Sequence, residues 1–254
     1  MIDVQGAWCG YFGRRAEVRF TAACEHCGTR LPLDSYDTRE CLRLGPVPIF
    51  PLTAYRILSA CALCGFSRRM PLDQYRAWAL DQVAADRAVL DGRPADADMR
   101  LALAWREYGL GLMWEALATL APLLVDPDGP AAAHHLAGVC HRALGQPKDA
   151  VAALSVAVDR APGEAVHHLD LGRALLARRA EADRAIGHIE TATREAPDDV
   201  DAWVTLASAL ARRGRWAGAA NAWDRALTLR PGLAASPLYR PAIERARANA
   251  RGDM

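Results

Sequence analysis

An alanine followed four residues later by a large apolar side chain recurs at a regular interval, as Ala116/Leu120, Ala150/Leu154, Ala185/Ile189 and Ala219/Trp223, at steps of 34, 35 and 34 residues. A period of this length is that of stacked helical hairpins. Each hairpin cannot bury its apolar face alone and does so against the next, so the pattern constrains the fold to a quasi-one-dimensional array. Arrays of this kind present a surface to a partner more often than they carry an active site.

The hairpins align in detail. Ala131 to Pro162 carries Gly138 in its first helix, Gly145 at the turn, and Ala150, Leu154 and Ala157 in its second helix. The next has Leu171–Gly172, Ala185, Ile189, Ala192 and Pro197, and the last has Trp203, Leu206, Ala207, Gly214, Ala219, Trp223, Ala226 and Pro231. Small residues are expected where two helices approach closely, with the large ones filling the gap beside them. The segment Ala97 to Asp128 is a weaker member: Leu103, Gly111, Ala116 and Leu120 fit, but no proline closes it at the expected place. Pro122 falls inside its second helix, where it is expected to kink or shorten that helix at a cost of about 3 kcal/mol if unrelieved. One extra residue lies between Gly172 and Ala185, most simply in the turn.

Ahead of the array the character is different. Residues 1–70 hold the short β-prone runs, among them the alternating Ala16–Thr21 and the stretch Cys41–Leu44 stopped by Gly45 and Pro46. The prolines of Val47–Leu52 exclude a helix and predict an extended edge that leads into Ala54–Leu58. From Pro71, the spacing of Leu72, Tyr75, Trp78 and Ala79 predicts one helix with an apolar stripe through to about Leu90, ended by Asp91–Gly92–Arg93–Pro94. After Pro231, Ser236–Pro237 introduces a final helix, about Leu238 to Ala250, suited to cover the open end of the stack.

Four of the seven cysteines form two C-x2-C pairs, Cys24/Cys27 and Cys61/Cys64, each followed at once by glycine (Gly28, Gly65). Such a turn presents two thiolates to one metal, and two turns complete a tetrahedral four-sulfur shell. Glycine permits the left-handed backbone that turns peptide N–H groups toward the sulfurs. Zinc is preferred to iron because nothing else in the chain points to electron transfer. The alternatives are two pairs of free thiols, or a thiol redox site, although a redox C-x2-C usually accompanies a βαβ pattern that is not visible here. Trp8–Cys9–Gly10 has Phe12 where a second cysteine would stand, so Cys9 is read as a lone packed thiol, as are Cys41 and Cys140. His26, inside a knuckle, is superfluous as a ligand once four cysteines bind.

The histidine pairs His134–His135 and His167–His168 look like metal ligands, but His134 and His168 occupy the alignment position of Trp203 and are expected to pack between helices. His188–Ile189–Glu190 has no second histidine at metalloprotease spacing, and no phosphate-binding glycine loop or serine elbow occurs. Acidic and basic residues nearly cancel, 30 against 31, so no global field recruits nucleic acid or an anionic membrane. The first thirteen residues lack the layout of a secretory signal, and no stretch approaches a membrane span of ~18 apolar residues. The expectation is a soluble cytoplasmic protein.

The array resembles the tetratricopeptide repeat (TPR), with its Trp, Leu-Gly and Tyr on one helix and Ala, Phe and Pro on the next. Residues 1–70 resemble the bacterial zinc ribbons, through Tyr11–Phe12–Gly13, the strand Val18 to Cys27, Pro48–Ile49–Phe50–Pro51–Leu52 and Cys61 to Cys64. Together these imply an α+β multidomain chain: a small β-rich zinc ribbon (1–70), a connecting helix and linker (71–94), an all-α TPR-type helical-hairpin solenoid of four repeats (95–233), and a C-terminal capping helix and tail (234–254). The ribbon would carry structural Zn2+ on Cys24, Cys27, Cys61 and Cys64.

The TPR resemblance further implies a concave groove lined by the first helix of each repeat. It places there Trp105 and Tyr108, then His135 and Arg142, Leu169 and Arg173, and Val204, Ser208 and Arg212. Arginines beside aromatic residues suit an extended peptide with acidic or aromatic side chains, against the alternative that they only solvate a helix face. The asparagine and lysine with which some family members clamp a C-terminal carboxylate are missing at these positions, so chaperone binding is not carried over. The function expected is a non-enzymatic adaptor for a protein or peptide. The alternatives are a nucleic-acid-binding regulatory protein using the ribbon, or a thiol redox protein. For nucleic acid, Arg14, Arg15, Arg68 and Arg69 offer a patch, but nearby acidic residues balance them and exposed stacking aromatics are not evident.

Overall fold

The computed structural model describes residues 9–44 and 47–252. Trp8 lies outside the described residues, as does the side chain of Cys9. The chain divides into two compact units: one runs to Val125 and includes Ala143–Gly145, the other comprises Asp126–Arg142 and the chain from Gln146 onward.

The first unit opens with an antiparallel sheet of β1 (Cys9–Ala23), β2 (Arg30–Leu44), β3 (Val47–Ala60) and β4 (Ser67–Pro71), in spatial order β1-β2-β3-β4. In such a meander the β1–β2 and β3–β4 turns fall at the same end of the sheet. Those two turns are the C-x2-C segments, so the long sequence interval between the cysteine pairs is the length of β2 and β3 running out and back. Strand β3 is flanked by β2 along most of its length and by β4 only in its second half, so Val47–Leu52 lies at an edge, as its prolines predict. β4 pairs only with Tyr55–Ala60, and the segment with Pro48 and Pro51 pairs with β2 alone, so the missing proline N–H groups interrupt no second ladder.

Most of β2 carries no apolar alternation. Its inward residues include Ser35 and Thr38, both buried, and the Ser35 hydroxyl donates to the Ile57 carbonyl at 2.9 Å. Hydrogen bonding rather than apolar burial therefore seats this strand. β1 is bulged between Phe12 and Val18, with Gly13 at φ 76° and Ala16 at φ 48°.

Helix α1 (Leu72–Asp91) begins at Pro71 and packs Tyr75, Ala79, Val83 and Leu90 into a cluster with Leu103 and Leu112. Trp78 shares the sequence stripe yet is 48% exposed. α2 (Ala97–Gly109) is capped by the Asp96 carboxylate, which accepts from Met99 N–H at 2.9 Å. α3 (Met113–Val125) continues for three residues beyond Pro122, so the proline stands in its last turn rather than breaking it.

The second unit contains α4 (Ala131–Ala143), α5 (Pro147–Arg160), α6 (Ala165–Leu176), α7 (Ala182–Glu195), α8 (Val200–Arg212), α9 (Trp216–Leu229) and α10 (Arg240–Gly252). A Cβ built on Gly172 would lie 2.5 Å from Ile189 Cγ1 and 3.1 Å from the Ala185 carbonyl oxygen, and one on Gly138 would strike Leu154. The glycines are what let paired helices close onto the large residues of the period. Gly111, Gly145 and Gly214, each five residues before the repeating alanine, have φ near +74° in three-residue turns. The α6–α7 turn has no such glycine and is two residues longer. A short 3-10 turn at Arg179–Glu181 takes up the extra residue. α10 buries Ile243 and Ala246 against Trp223 and Leu233, which makes it the expected cap on the last hairpin.

Candidate metal centre and candidate ligand groove

The two cysteine turns have the same construction. Gly28 N–H donates to the Cys24 carbonyl and Gly65 N–H to the Cys61 carbonyl, both at 2.9 Å. Cys24 N–H donates to Thr29 O at 3.0 Å and Cys61 N–H to Phe66 O at 2.9 Å. Gly28 and Gly65 sit at φ 70° and 73°, a region that costs a side-chain-bearing residue about 1–2 kcal/mol. The four sulfurs all lie within 4.8 Å of one another. Cys24 Sγ is 3.7 Å from Cys64 Sγ, and Cys27 Sγ is 3.9 Å from Cys61 Sγ. A tetrahedral ion with metal–sulfur bonds of about 2.3 Å sets its ligands ~3.8 Å apart. The donor set thus fits a closed thiolate site: these four cysteines could hold a metal, and no histidine or carboxylate joins the cluster among the described residues.

Local hydrogen bonds favour ionisation at two of the sulfurs, Cys27 and Cys61. The backbone N–H and then the hydroxyl of Thr29 lower the Cys27 thiol to about 6. The Cys64 backbone N–H likewise lowers Cys61. At Cys64 the Phe66 N–H pulls in the same direction, but burial and the neighbouring sulfurs outweigh it and push the thiol up to about 12. Cys24 and Cys61 are buried, whereas Cys27 and Cys64 are exposed. His26 stacks on Phe66 at 5.4 Å instead of joining the sulfurs, and Cys41 and Cys140 are buried.

Around this end of the sheet Arg68 pairs with Glu25 at 3.0 Å, and Arg14 lies 3.4 Å from Glu17 and 3.6 Å from Asp34, so the acidic balance read from the sequence is present. The expectation that exposed aromatics are lacking needs correction: Tyr11, Phe20 and Phe66 are all exposed. Phe20 follows the buried Ala16 and Val18 in the alternating run yet is itself exposed, and Phe66 lies in the turn before β4.

In the second unit, facing helices α4, α6 and α8 bring several of the expected groove residues together. His135 Nε2 lies 2.9 Å from Asp170 Oδ2, while Arg142 and Arg173 approach Asp170 Oδ1 at 3.7 and 3.4 Å. Arg173 also reaches the Thr205 hydroxyl at 3.2 Å and Asp201 at 3.8 Å. Asp170 is only 6% exposed. Burial alone would raise its carboxyl. The His135 hydrogen bond, followed by the charges of Arg142 and Arg173, outweighs that and holds it below the usual range. Arg212 is exposed and makes no ion pair or hydrogen bond among the described residues, and Val204 and Ser208 lie on the same helix, α8. Leu169 is buried in the core. Trp105 and Tyr108 belong to the first unit, where their rings meet edge-on at 5.8 Å.

Asp170 was not among the expected residues. Its one sequence signal is that it occupies the repeat position of the fully buried Leu136, a charge where the preceding hairpin carries a hydrocarbon. The histidines follow the packing reading. Trp203 Nε1–H donates to Pro197 O at 2.9 Å, His168 Nε2 meets Pro162 O at 3.0 Å, and Arg100 Nη2 donates to Pro94 O at 2.7 Å. These three share one repeat position and one acceptor six residues back. Because a carbonyl only accepts, His168 carries its proton on Nε2, leaving its Nδ1 to face His188 Nδ1 at 3.1 Å. Burial, then its neighbours' charge, lowers His188, His167 and His134.

Residues 169–237 match the family described as Tetratricopeptide repeat. Among solved structures, the chain is similar to MamA (22% identity, 66% of this chain and 99% of that one, TM-score 0.55). It is similar also to MamA from Desulfovibrio magneticus RS-1 (17%, 63% and 95%, 0.52) and to YrrB, described as a TPR protein with an unusual peptide-binding site (19%, 62% and 85%, 0.50). At these identities the likeness is one of fold. No curated protein sequence matches the chain. No helix among the described residues is long and apolar enough to cross a membrane.

Proposed function

We propose that this chain, which carries tetratricopeptide repeats in its helical part, is a non-enzymatic cytoplasmic adaptor that binds a protein or peptide. The domain plan is that read from the sequence: a ribbon over residues 1–70, a connecting helix over 71–94, four repeats over 95–233 and a cap beyond. The observation that carries the reading is the buried Asp170 of α6, which gathers His135 and Arg142 of α4 and Arg173 of its own helix. Fixing two guanidinium groups before a ligand arrives lowers the ordering cost of binding. With the unpaired Arg212 beyond them, they suit a segment bearing acidic side chains. The likeness to YrrB, described as having a peptide-binding site, supports a ligand of this kind.

In the ribbon, Cys24, Cys27, Cys61 and Cys64 would hold Zn2+ in a structural role. A closed four-thiolate shell leaves no open position for substrate, and the ion would cross-link the two turns. The decisive experiment is a pull-down with the intact protein beside the Arg173→Glu/Arg212→Glu variant. Loss of specific partners from the variant is expected, and identical partners from both proteins sink the groove reading.

The exposed Tyr11, Phe20 and Phe66 near Arg14, Arg68 and Arg69 favour one second reading, single-stranded nucleic acid on the sheet. An oligonucleotide gel shift decides it. Binding that weakens steeply with salt supports this reading, whereas no shift, or a weak salt-insensitive one, dismisses it.

A further inference from the structure

A cavity of about 340 Å3 opens within the first unit, where the bulged start of β1, strand β2, helix α1 and the α2–α3 turn come together. Its construction is unusual in three respects. Ala16, buried and without the freedom of glycine, is held at φ 48°. Backbone strain of this kind persists only where the surroundings over-determine it, and it concentrates at ligand sites. Here the determinant is Arg56 on β3, which is fully buried and donates through Nη1 to the Ala16 carbonyl at 2.8 Å and to Asp37 Oδ1 at 2.9 Å. The remaining Arg56 nitrogens, Nε and Nη2, are buried without partners, and Gly111 leaves room for the guanidinium, since a Cβ there would lie 2.6 Å from Nη2.

The second respect is charge. Asp37 is the one carboxylate among the residues lining the cavity, and the buried Arg56 already engages it. Arg15 and Arg39 also line the cavity, their side chains making no ion pair or hydrogen bond among the described residues, while Arg76 adds a third guanidinium that reaches out to Glu115 at 3.3 Å. The cavity is therefore positive, with its internal anion cancelled. The third is shape: Trp114, 56% exposed, and Phe12 border the same space, so an apolar or planar body has a surface to rest on beside the cations.

We propose that this cavity binds a small molecule carrying an oxyanion, a carboxylate or a phosphate ester, on a short apolar body. The β1 bulge turns Arg15 to the cavity, Arg39 faces it from β2, and both forks are open to bidentate recognition. The volume lies at the small end of ligand pockets, which excludes a dinucleotide or a folded partner. This site is independent of the repeat groove, and the adaptor reading stands or falls without it.

Isothermal titration calorimetry on the full chain tests the proposal with phenyl phosphate, phenylacetate, inorganic phosphate and benzyl alcohol. Saturable binding of a phenyl-bearing anion is expected, tighter than inorganic phosphate and absent for the neutral alcohol. Tighter phenyl phosphate assigns the phosphate-ester class, and tighter phenylacetate the carboxylate class. The Arg15→Gln/Arg39→Gln variant, whose side chains hold no structural partner, is expected to bind about tenfold or more weakly with unchanged circular dichroism and metal content. Absence of saturable binding by either phenyl anion overturns the proposal. So does equal binding of benzyl alcohol, or affinity that survives in the double variant.

Discussion

Around Cys24, Leu33 and Cys61 the four-stranded sheet buries one small apolar cluster, with Ala22 packed against it. Helices α6 to α10 instead share a cluster that includes Ile189, Leu206, Trp223, Leu233 and Ile243, joined by alanines that let the helices close up. Two of the three buried members of the sheet cluster are the cysteines themselves. The sheet thus gathers its candidate metal site and only a few further buried apolar residues, among them Val18, Cys41 and Ile57, whereas the helices need only their own side chains. Below the size at which a core suffices, a metal cross-link substitutes for apolar area.

The strongest way to break this contrast is to remove the metal. Chelation, or Cys24→Ser with Cys61→Ser, is expected to remove on the order of 10 kcal/mol of folding free energy from the sheet. Hydrogen exchange read by mass spectrometry should show residues 9–71 losing protection while residues 165–246 keep it. Metal analysis of the untreated protein should return one zinc per chain. Retained protection in the stripped sheet would end the claim that the ion is part of its fold.

The reverse perturbation is expected to strike only the helices. Trp223 is the largest of the four residues that follow the repeating alanines and is 1% exposed, in contact with Tyr239 and the cap. Trp223→Ala should cost about 3–5 kcal/mol of stability, seen as an earlier denaturant midpoint for the helical transition with zinc stoichiometry unchanged. If the variant also released zinc, the two regions would not be stabilised separately.

The same contrast decides what could be read beforehand. Period and composition revealed the hairpins because Ala150/Leu154, Ala185/Ile189 and Ala219/Trp223 perform one packing task at one spacing. The four cysteines were legible for a similar reason, since metal geometry admits few spacings. Strand β2 was legible only at its Cys41–Leu44 end and not along the rest, because Ser35 and Thr38 are seated by hydrogen bonds rather than apolar alternation. Nor was Asp170 or the Arg56–Asp37 pair: a buried charge is defined by partners distant in sequence, and no periodicity announces it. The prolines of β3 argued correctly against a doubly paired strand, but nothing in the sequence pointed to the short β4 that leaves them unpaired on one side.

A sharper test of the helical side uses Gly172. The inserted methyl of Gly172→Ala would press on Ile189 and on the Ala185 carbonyl, a backbone atom that cannot swing aside. Overpacking of this kind costs about 1–3 kcal/mol, against the ~1 kcal/mol that alanine ordinarily gains over glycine within a helix. A net loss of stability is therefore expected by chemical denaturation, and a neutral or stabilised variant would show that α6 and α7 are not in close contact there.

Gly187 on α7 supplies the matched control and the smallest effect. It stands in the same hairpin, but a methyl placed there would meet nothing within 4 Å, and its helical backbone is one that alanine adopts without strain. With no neighbour to displace, only the unfolded chain's lost freedom and the better helix propensity remain, so Gly187→Ala should stabilise the helices by about 0.4–1 kcal/mol. The sign is the informative quantity. Opposite signs at Gly172 and Gly187, measured in one denaturation series, would separate a glycine required by helix contact from one that the fold merely tolerates. Equal signs would mean that propensity rather than interhelix packing governs both positions, and the period would lose its physical explanation.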